Sequence, residues 1–132
     1  SIVNDSFQFL YNFDKLKILD ASNCNNDLNG YFLDFKMNSK ELIELKMVDS
    51  NLENMIDLSF CQKLKLINLS KNKLSLIKKI YFDSNTLMIN LNLSMNCIQF
   101  IEKGSFDTLN YLRILDLSHN QITHLPEEIQ QL

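Results

Sequence analysis

The chain has 132 residues, 45% of them hydrophobic, and a formal net charge of −3. This length is enough for one modest domain, and the charge gives no electrostatic reason to expect nucleic acid or an anionic membrane as a partner. Only two glycines and one proline occur, which nearly excludes tight hairpins and glycine-rich phosphate loops. No apolar run approaches about 18 residues, so no membrane span is predicted.

In chain order, the first predicted element is a partial repeat in residues 1–15. Two loosely spaced repeats follow, with starts near residues 16 and 42. Their apolar residues follow the pattern apolar-x-x-apolar-x-apolar, and these residues are Leu16, Leu19 and Ala21, then Leu42, Leu45 and Met47. Cys24 and Ser50 follow at the place where we expect each repeat to turn.

Three strict repeats occupy residues 64–77, 88–101 and 112–125, with starts 24 residues apart. Each reads apolar-x-x-apolar-x-Leu-Ser-x-Asn-x-apolar-x-x-apolar. We therefore predict a single domain over residues 1–132 with about five repeats, starting near 16, 42, 64, 88 and 112. We expect both ends to be truncated, because a repeat array needs polar caps over its terminal core and none is recognisable in the sequence.

The repeat pattern predicts a short strand in each copy, since residues alternate between the two faces of a strand. One copy cannot bury its apolar face alone, so stacked copies should form a parallel sheet. Asn72, Asn96 and Asn120 follow the strands, and we predict that they form a structural ladder that satisfies the backbone groups of successive turns. Phe82 and Phe106, also 24 residues apart, should stack on the convex side.

These motifs resemble the leucine-rich-repeat superfamily along essentially the whole chain. The 24-residue period, the Phe106, Leu109, Leu112 approach to a repeat and the segment Gly104-Ser105-Phe106 are similar to its typical class, which includes ectodomains of Toll-like receptors and leucine-rich immune proteins of insects. The resemblance implies an α/β solenoid shaped as a horseshoe. Its parallel β-sheet would line the concave face, with irregular, short helical or 3-10 segments on the convex side.

The strand residues that face solvent suit protein recognition through many modest contacts. We predict a ligand-binding concave face formed by Asp20, Glu44, Lys46, Lys65, Asn90, Arg113, Asp116 and His119. By alternation, one column holds Asp20, Lys46, Asn68, Asn92 and Asp116, and we place Lys17, Glu44, Lys65, Asn90 and Arg113 in a flanking column. The alternative is that these residues are solvated only. The predicted partner is a protein or a microbial or glycan ligand, and a homodimer or a heterodimer is left open.

Six lysines and no acid lie in residues 63–79. They could bind an anionic glycan or an acidic protein surface. The alternative is a solvated set of side chains, because one coil of a solenoid would spread these lysines over different sides.

Three glycosylation sequons begin at Asn4, Asn68 and Asn92. The repeat itself supplies the serine of the last two, so only Asn4 is independent evidence. With the repeat class, Asn4 favours an extracellular or cell-surface protein, and the predicted function is recognition in an innate-immune receptor or a secreted immune protein. The alternatives are an extracellular cell-adhesion protein and a cytoplasmic scaffold that docks a signalling enzyme, which the segment 125–129 would suit.

Nothing in the sequence predicts an enzyme, a cofactor or a metal site. The two histidines, His119 and His124, occupy variable places of the last repeat. The three cysteines, Cys24, Cys61 and Cys97, lack the short spacing of a zinc or redox motif. Because their places in the repeat differ, we predict no internal disulfide, and leave open that Cys97 pairs with another chain.

Overall fold

The computed structural model of the chain describes residues 15–24 and 39–130. Most of the predicted partial repeat and the sequon at Asn4 lie outside the described residues. Within them, the predicted solenoid is confirmed: successive parallel strands form one sheet, and the return segments contain little helix.

The main sheet has five short strands, each three residues long, in the order in which they occur in the sequence. They are β1 (Ile18–Asp20), β2 (Glu44–Lys46), β3 (Leu66–Asn68), β5 (Asn90–Asn92) and β7 (Ile114–Asp116). Every neighbouring pair is parallel. The central residue of each strand points into the solenoid, where Leu45, Ile67 and Leu91 are fully buried. The sheet lines the concave face.

The return segments contain a second, two-stranded parallel sheet of β4 (Leu76–Ile77) and β6 (Phe100–Ile101). A 3-10 helix at Lys79–Tyr81 and the helix α1 (Glu127–Gln130) complete this convex side. The predicted aromatic stack is confirmed, because the ring centroids of Phe82 and Phe106 lie 6.1 Å apart with an interplanar angle of 23°. Phe82 is fully buried, so the stack closes the core beneath the convex segments.

A buried column of asparagines joins the coils after the strands. The side-chain amide of Asn72 donates to the carbonyls of Met47 in the preceding coil and of Leu69 in its own, at 2.7 and 2.9 Å. Its Oδ1 accepts the N–H groups of Ser50 and Leu52, both at 3.0 Å. Each asparagine thus satisfies backbone groups of two coils at once, which is the role expected of a buried amide.

Asn96 and Asn120 repeat the arrangement. The Asn96 amide donates to the carbonyls of Leu69 and Leu93, and its Oδ1 accepts the N–H of Leu74. Asn120 donates in the same way to the carbonyl of Leu93 in the preceding coil at 2.9 Å. The ladder therefore spans the three strict repeats.

A second buried polar column lies at the other end of the strands, and the sequence pattern did not reveal it. The Asn85 amide donates to the carbonyls of Leu58 and Cys61, at 3.1 and 3.0 Å. Ser39 Oγ donates to the carbonyl of Leu16 at 3.1 Å. Each of these side chains reaches back to the preceding coil. Asn85 was overlooked because it interrupts the apolar spacing seen in the Phe106, Leu109, Leu112 approach, as Ser39 does before the repeat at 42.

Candidate protein-binding surface

Five rows of side chains cross the strands of the concave sheet. The first row is Lys17, Ile43, Lys65, Ile89 and Arg113, and the second row is Ile18, Glu44, Leu66, Asn90 and Ile114. The third row is Asp20, Lys46, Asn68, Asn92 and Asp116. The fourth row is Ser22, Val48, Ser70, Ser94 and Ser118, and the fifth row is Asn23, Asp49, Lys71, Met95 and His119. We call the first and second rows the leading rows.

This register corrects one prediction. The predicted flanking column took Glu44 and Asn90 together with Lys17, Lys65 and Arg113. In the structure the two sets occupy adjacent rows, because Glu44 pairs with Ile18 and Leu66, and Asn90 pairs with Leu66 and Ile114. The remaining predicted residues (Asp20, Lys46, Asp116 and His119) lie in the third and fifth rows.

A shared hydrogen-bond acceptor at the start of each strand accompanies two consecutive residues that both face solvent. The carbonyl of Lys65 accepts the N–H groups of both Ile89 and Asn90, at 2.8 and 3.0 Å. The carbonyls of Lys17, Ile43 and Ile89 accept two consecutive N–H groups in the same way. The first row thus lies just before the strands, and the alternation of faces begins only at the second row. The leading rows therefore both remain on the surface.

Apolar side chains are part of this surface, and the set predicted from sequence left them out. Ile18, Ile89 and Ile114 are 57%, 38% and 54% exposed, and Ile43 and Leu66 are half-buried. Exposed branched residues on a solvent-facing sheet provide contact area that a purely polar face would lack. The leading rows are therefore more apolar than the all-polar set of residues predicted from the sequence.

The third row faces solvent but turns its acceptor atoms back onto its own chain. Oδ1 of Asp116 accepts the N–H and the hydroxyl of Ser118, at 3.0 and 2.6 Å, and Asn92 binds Ser94 in the same way. Hydrogen bonds from the Ser118 side chain and backbone lower the pKa of the Asp116 carboxyl, and those from Ser22 lower the pKa of Asp20. These residues cap the turn after each strand.

The fifth row adopts left-handed backbone geometry in every described repeat, with φ between 52° and 57°. Such a conformation is uncommon for Lys71 and Met95, whereas Asn, Asp and His adopt it more readily. Hydrogen bonds across the coils fix it, since the N–H of Met95 donates to the carbonyl of Ser118 at 2.9 Å. These side chains lie at the edge of the concave face where the chain leaves the strands.

The lysines of residues 63–79 do not form one patch. Lys63 pairs with Glu41 at 2.8 Å, and Lys65 lies in the first row. Lys71 and Lys73 line a shallow pocket of about 500 Å³ together with Asp49. Lys78 and Lys79 lie at the 3-10 helix on the convex side. The lysines therefore lie on different sides of one coil, as the alternative of solvated side chains expects.

The histidines and cysteines do not converge on a common centre. His124 contacts Thr123 at 3.1 Å on the convex side, whereas His119 lies in the fifth row. No disulfide links two of the cysteines. Cys24 and Cys61 are buried, and burial raises the pKa of the Cys61 thiol to about 11, although a hydrogen bond from the Ser39 backbone opposes the shift. Across residues 15–24 and 39–130, no cluster of three or more histidine, cysteine and acidic residues could hold a metal ion.

None of the helices in the described part of the chain is both long and apolar enough to cross a membrane. A family profile described as leucine rich repeat matches residues 62–122 and 86–132. No curated protein matches the chain. The matched segments run over residues 62–132, more than half of the chain, and contain the three strict repeats, the asparagine ladder and the last three strands of the main sheet. The chain therefore belongs to the leucine-rich repeat family.

Proposed function

We propose that the chain is a recognition module that binds another protein through the concave face of its solenoid. The observation that carries this proposal is the five-stranded parallel sheet with its solvent-facing rows. A surface that is already ordered loses little conformational entropy on binding. Hydrogen bonds from Asn72, Asn96 and Asn120 between successive coils maintain that order.

We further propose an extracellular or cell-surface setting, in an innate-immune receptor or a secreted immune protein. The resemblance of the strict repeats to the ectodomain class supports it, as does the sequon at Asn4. The repeat-derived sequons at Asn68 and Asn92 lie in the third row, which faces solvent. Their Cα atoms are partners in adjacent strands, about 5 Å apart. Two glycans so close would crowd each other, so we expect full occupancy of only one.

The concave site can be tested with a glycan wedge, which is a glycan introduced at a new sequon to block access to the surface around it. Glu44→Asn with Lys46→Ser creates a sequon on β2, and Lys78→Asn with Ile80→Ser creates a matched one at the convex 3-10 helix.

Both proteins and their reference chain carry Ser70→Ala and Ser94→Ala, which remove the two native sequons of the concave face. All are secreted from mammalian cells and compared on a panel of extracellular proteins and microbial glycans. We expect a protein ligand whose binding the concave wedge abolishes and the convex wedge preserves. Binding blocked only by the convex wedge, or binding to glycans alone, would overturn the proposal.

A cytoplasmic scaffold is the second candidate, and two observations favour it. Proteins of reducing compartments rarely carry disulfides, and no disulfide joins the three cysteines of this chain. The segment from Leu125 and Pro126 into helix α1 also fits the intracellular class that the sequence analysis considered. Glycopeptide mass spectrometry on protein from its native source separates the two settings. Glycosylated Asn4 excludes the scaffold, and unmodified Asn4, Asn68 and Asn92 would contradict the extracellular proposal.

A further inference from the structure

The leading rows combine apolar and polar side chains in a regular zigzag. Each strand contributes one apolar residue, which lies alternately in the second and the first row. From β1 to β7 these residues are Ile18, Ile43, Leu66, Ile89 and Ile114. Because neighbouring strands lie about 4.8 Å apart, the zigzag presents one apolar group about every 5 Å along the solenoid.

In each coil, the leading-row residue beside the apolar one is polar or charged, and together these residues give the leading rows a net positive charge. Lys17, Lys65 and Arg113 all lie in the first row and are exposed. Glu44 is the one acid among the ten residues of the leading rows. The cations occupy alternate strands, so they recur about every 10 Å along one side of the zigzag.

The third row offers a contrasting surface. Its acids, Asp20 and Asp116, and its asparagines, Asn68 and Asn92, each accept the N–H of a serine two residues later. Those acceptors are therefore already engaged within the chain. A ligand gains less from displacing such bonds than from meeting the exposed cations and apolar groups of the leading rows.

We propose that the leading rows bind an acidic amphipathic α-helix of the partner protein, lying across the strands. This inference rests on the proposed concave-face function and names the chemistry of its ligand. A helix rises about 5.4 Å per turn, and its apolar stripe alternates between two lines of residues. That period matches the zigzag of isoleucines and leucine. Carboxylates seven residues apart on one flank lie about 10.5 Å apart, close to the spacing of the cations.

A library of displayed helices tests the inference while the partner is still unidentified. Each helix has leucine at positions a and d of successive heptads and random residues at the flanking positions e and g. The library is selected for binding to the unaltered chain. We expect the recovered helices to be enriched in Asp and Glu at seven-residue spacing on one flank only, because the cations lie on one side of the zigzag.

Variants then locate the binding site of the recovered helix. Lys65→Glu with Arg113→Glu should weaken its binding by about tenfold or more, since a repelling charge replaces each attraction. Lys78→Glu with Lys79→Glu is the matched double control, because both residues lie at the convex 3-10 helix, and it should change the affinity by less than about twofold. Lys46→Glu, a single reversal in the third row of the concave sheet, should weaken binding less than the leading-row double variant. Circular dichroism and urea unfolding check that all variants fold alike.

The outcomes separate the two proposals. Failure to recover any helix, or recovery of helices with basic flanks, overturns this inference. Sensitivity to Lys46→Glu but not to the leading-row double variant also overturns it, while the concave-face function stands. Binding that is indifferent to all three concave substitutions and to the concave glycan wedge contradicts both proposals.

Discussion

The coil turns after β1 and β2 are held differently from those of the strict repeats. In the strict repeats, Asn96 accepts one N–H and donates to carbonyls of two coils, all at 3.0 to 3.1 Å. Upstream, Ser50 Oγ reaches the carbonyl of Ala21 at 3.0 Å. Cys24 contributes one weak contact, with its sulfur 3.9 Å from the carbonyl of Ser22.

The comparison shows that one place in the coil tolerates a graded series of side chains. An asparagine both donates and accepts, a serine here only donates, and a thiol is a weak donor. Among the described residues, cross-coil hydrogen bonding is therefore strongest in the strict repeats and weakest at the first turn. Substitutions along this column should cost most downstream and least upstream.

The largest effect is expected for Asn96→Leu, which conserves size but removes all its hydrogen bonds. The buried N–H of Leu74 then lacks its side-chain acceptor, while the carbonyl of Leu69 keeps the bond from Asn72. We expect the free energy of unfolding to fall by about 2 to 3 kcal/mol, because one buried polar group left unsatisfied costs roughly 1 to 3 kcal/mol and the cross-coil bonds are lost as well. Urea unfolding followed by circular dichroism measures the loss.

Asn85→Leu is the matched control, since Asn85 is also a fully buried amide. Its Oδ1 is buried without a hydrogen-bond partner, and the carbonyls of Leu58 and Cys61 also accept backbone N–H groups. We expect a change within about 1 kcal/mol, because little is left unsatisfied. Equal losses for the two variants would refute the distinction between the columns.

Ser50→Ala should cost less than Asn96→Leu. It removes the bond from Ser50 Oγ to Ala21 but leaves the Ser50 N–H bonded to Asn72. We expect a loss of about 1 kcal/mol, the usual contribution of one hydrogen bond, in the same urea experiment. A loss as large as that of Asn96→Leu would show that the serine does more than its single cross-coil bond.

Cys24→Ala should have the smallest effect on this column. A thiol 3.9 Å from its acceptor contributes little as a hydrogen bond. The cost should be the loss of a small apolar contact, about 1 kcal/mol or less. A shift in the urea midpoint beyond that of Ser50→Ala would contradict the proposed order along the column.

The pH dependence of the turns distinguishes acids from amides within the third row. The pKa of Asp116 is lowered in the folded protein because its carboxylate accepts two bonds from Ser118. Its stabilisation is therefore present at neutral pH and is lost as pH falls through the lowered pKa. The effect should be small, since Asp116 is mostly solvated. Asp116→Asn, which copies Asn92, should lose less stability between neutral and acid pH than the unaltered chain, as measured by thermal unfolding.

Much of the solenoid was predictable because the same positions of the repeat are buried in successive coils. Positions such as Leu64, Ile67 and Leu69 must be apolar in every coil, so their spacing predicts a strand and its inward face. The turn asparagines recur for an equally strict reason, since few side chains satisfy both a donor and an acceptor in one buried place.

The concave surface was less predictable. The predicted flanking column mixed two repeat positions, because Lys17 and Lys65 lie three residues before the third-row residues of their coils, whereas Glu44 lies two residues before that of its own coil. What residue spacing does not show is that both positions lie on the surface, beside a carbonyl that accepts two N–H groups. Asn85 was missed for a related reason. A buried amide that replaces one apolar residue looks like a break in the pattern, whereas the structure places it across two backbone carbonyls.

Hydroxyl-radical footprinting of the chain with a bound protein partner tests the concave recognition surface most directly. If the concave face is the binding surface, binding lowers the oxidation of Leu66, Ile89 and Ile114 in the leading rows. Phe100, which is 61% exposed, and Leu76 lie on the convex sheet and serve as internal controls. Their oxidation should not change. Protection of Phe100 and Leu76 with unchanged oxidation of the leading rows would contradict binding at the concave face.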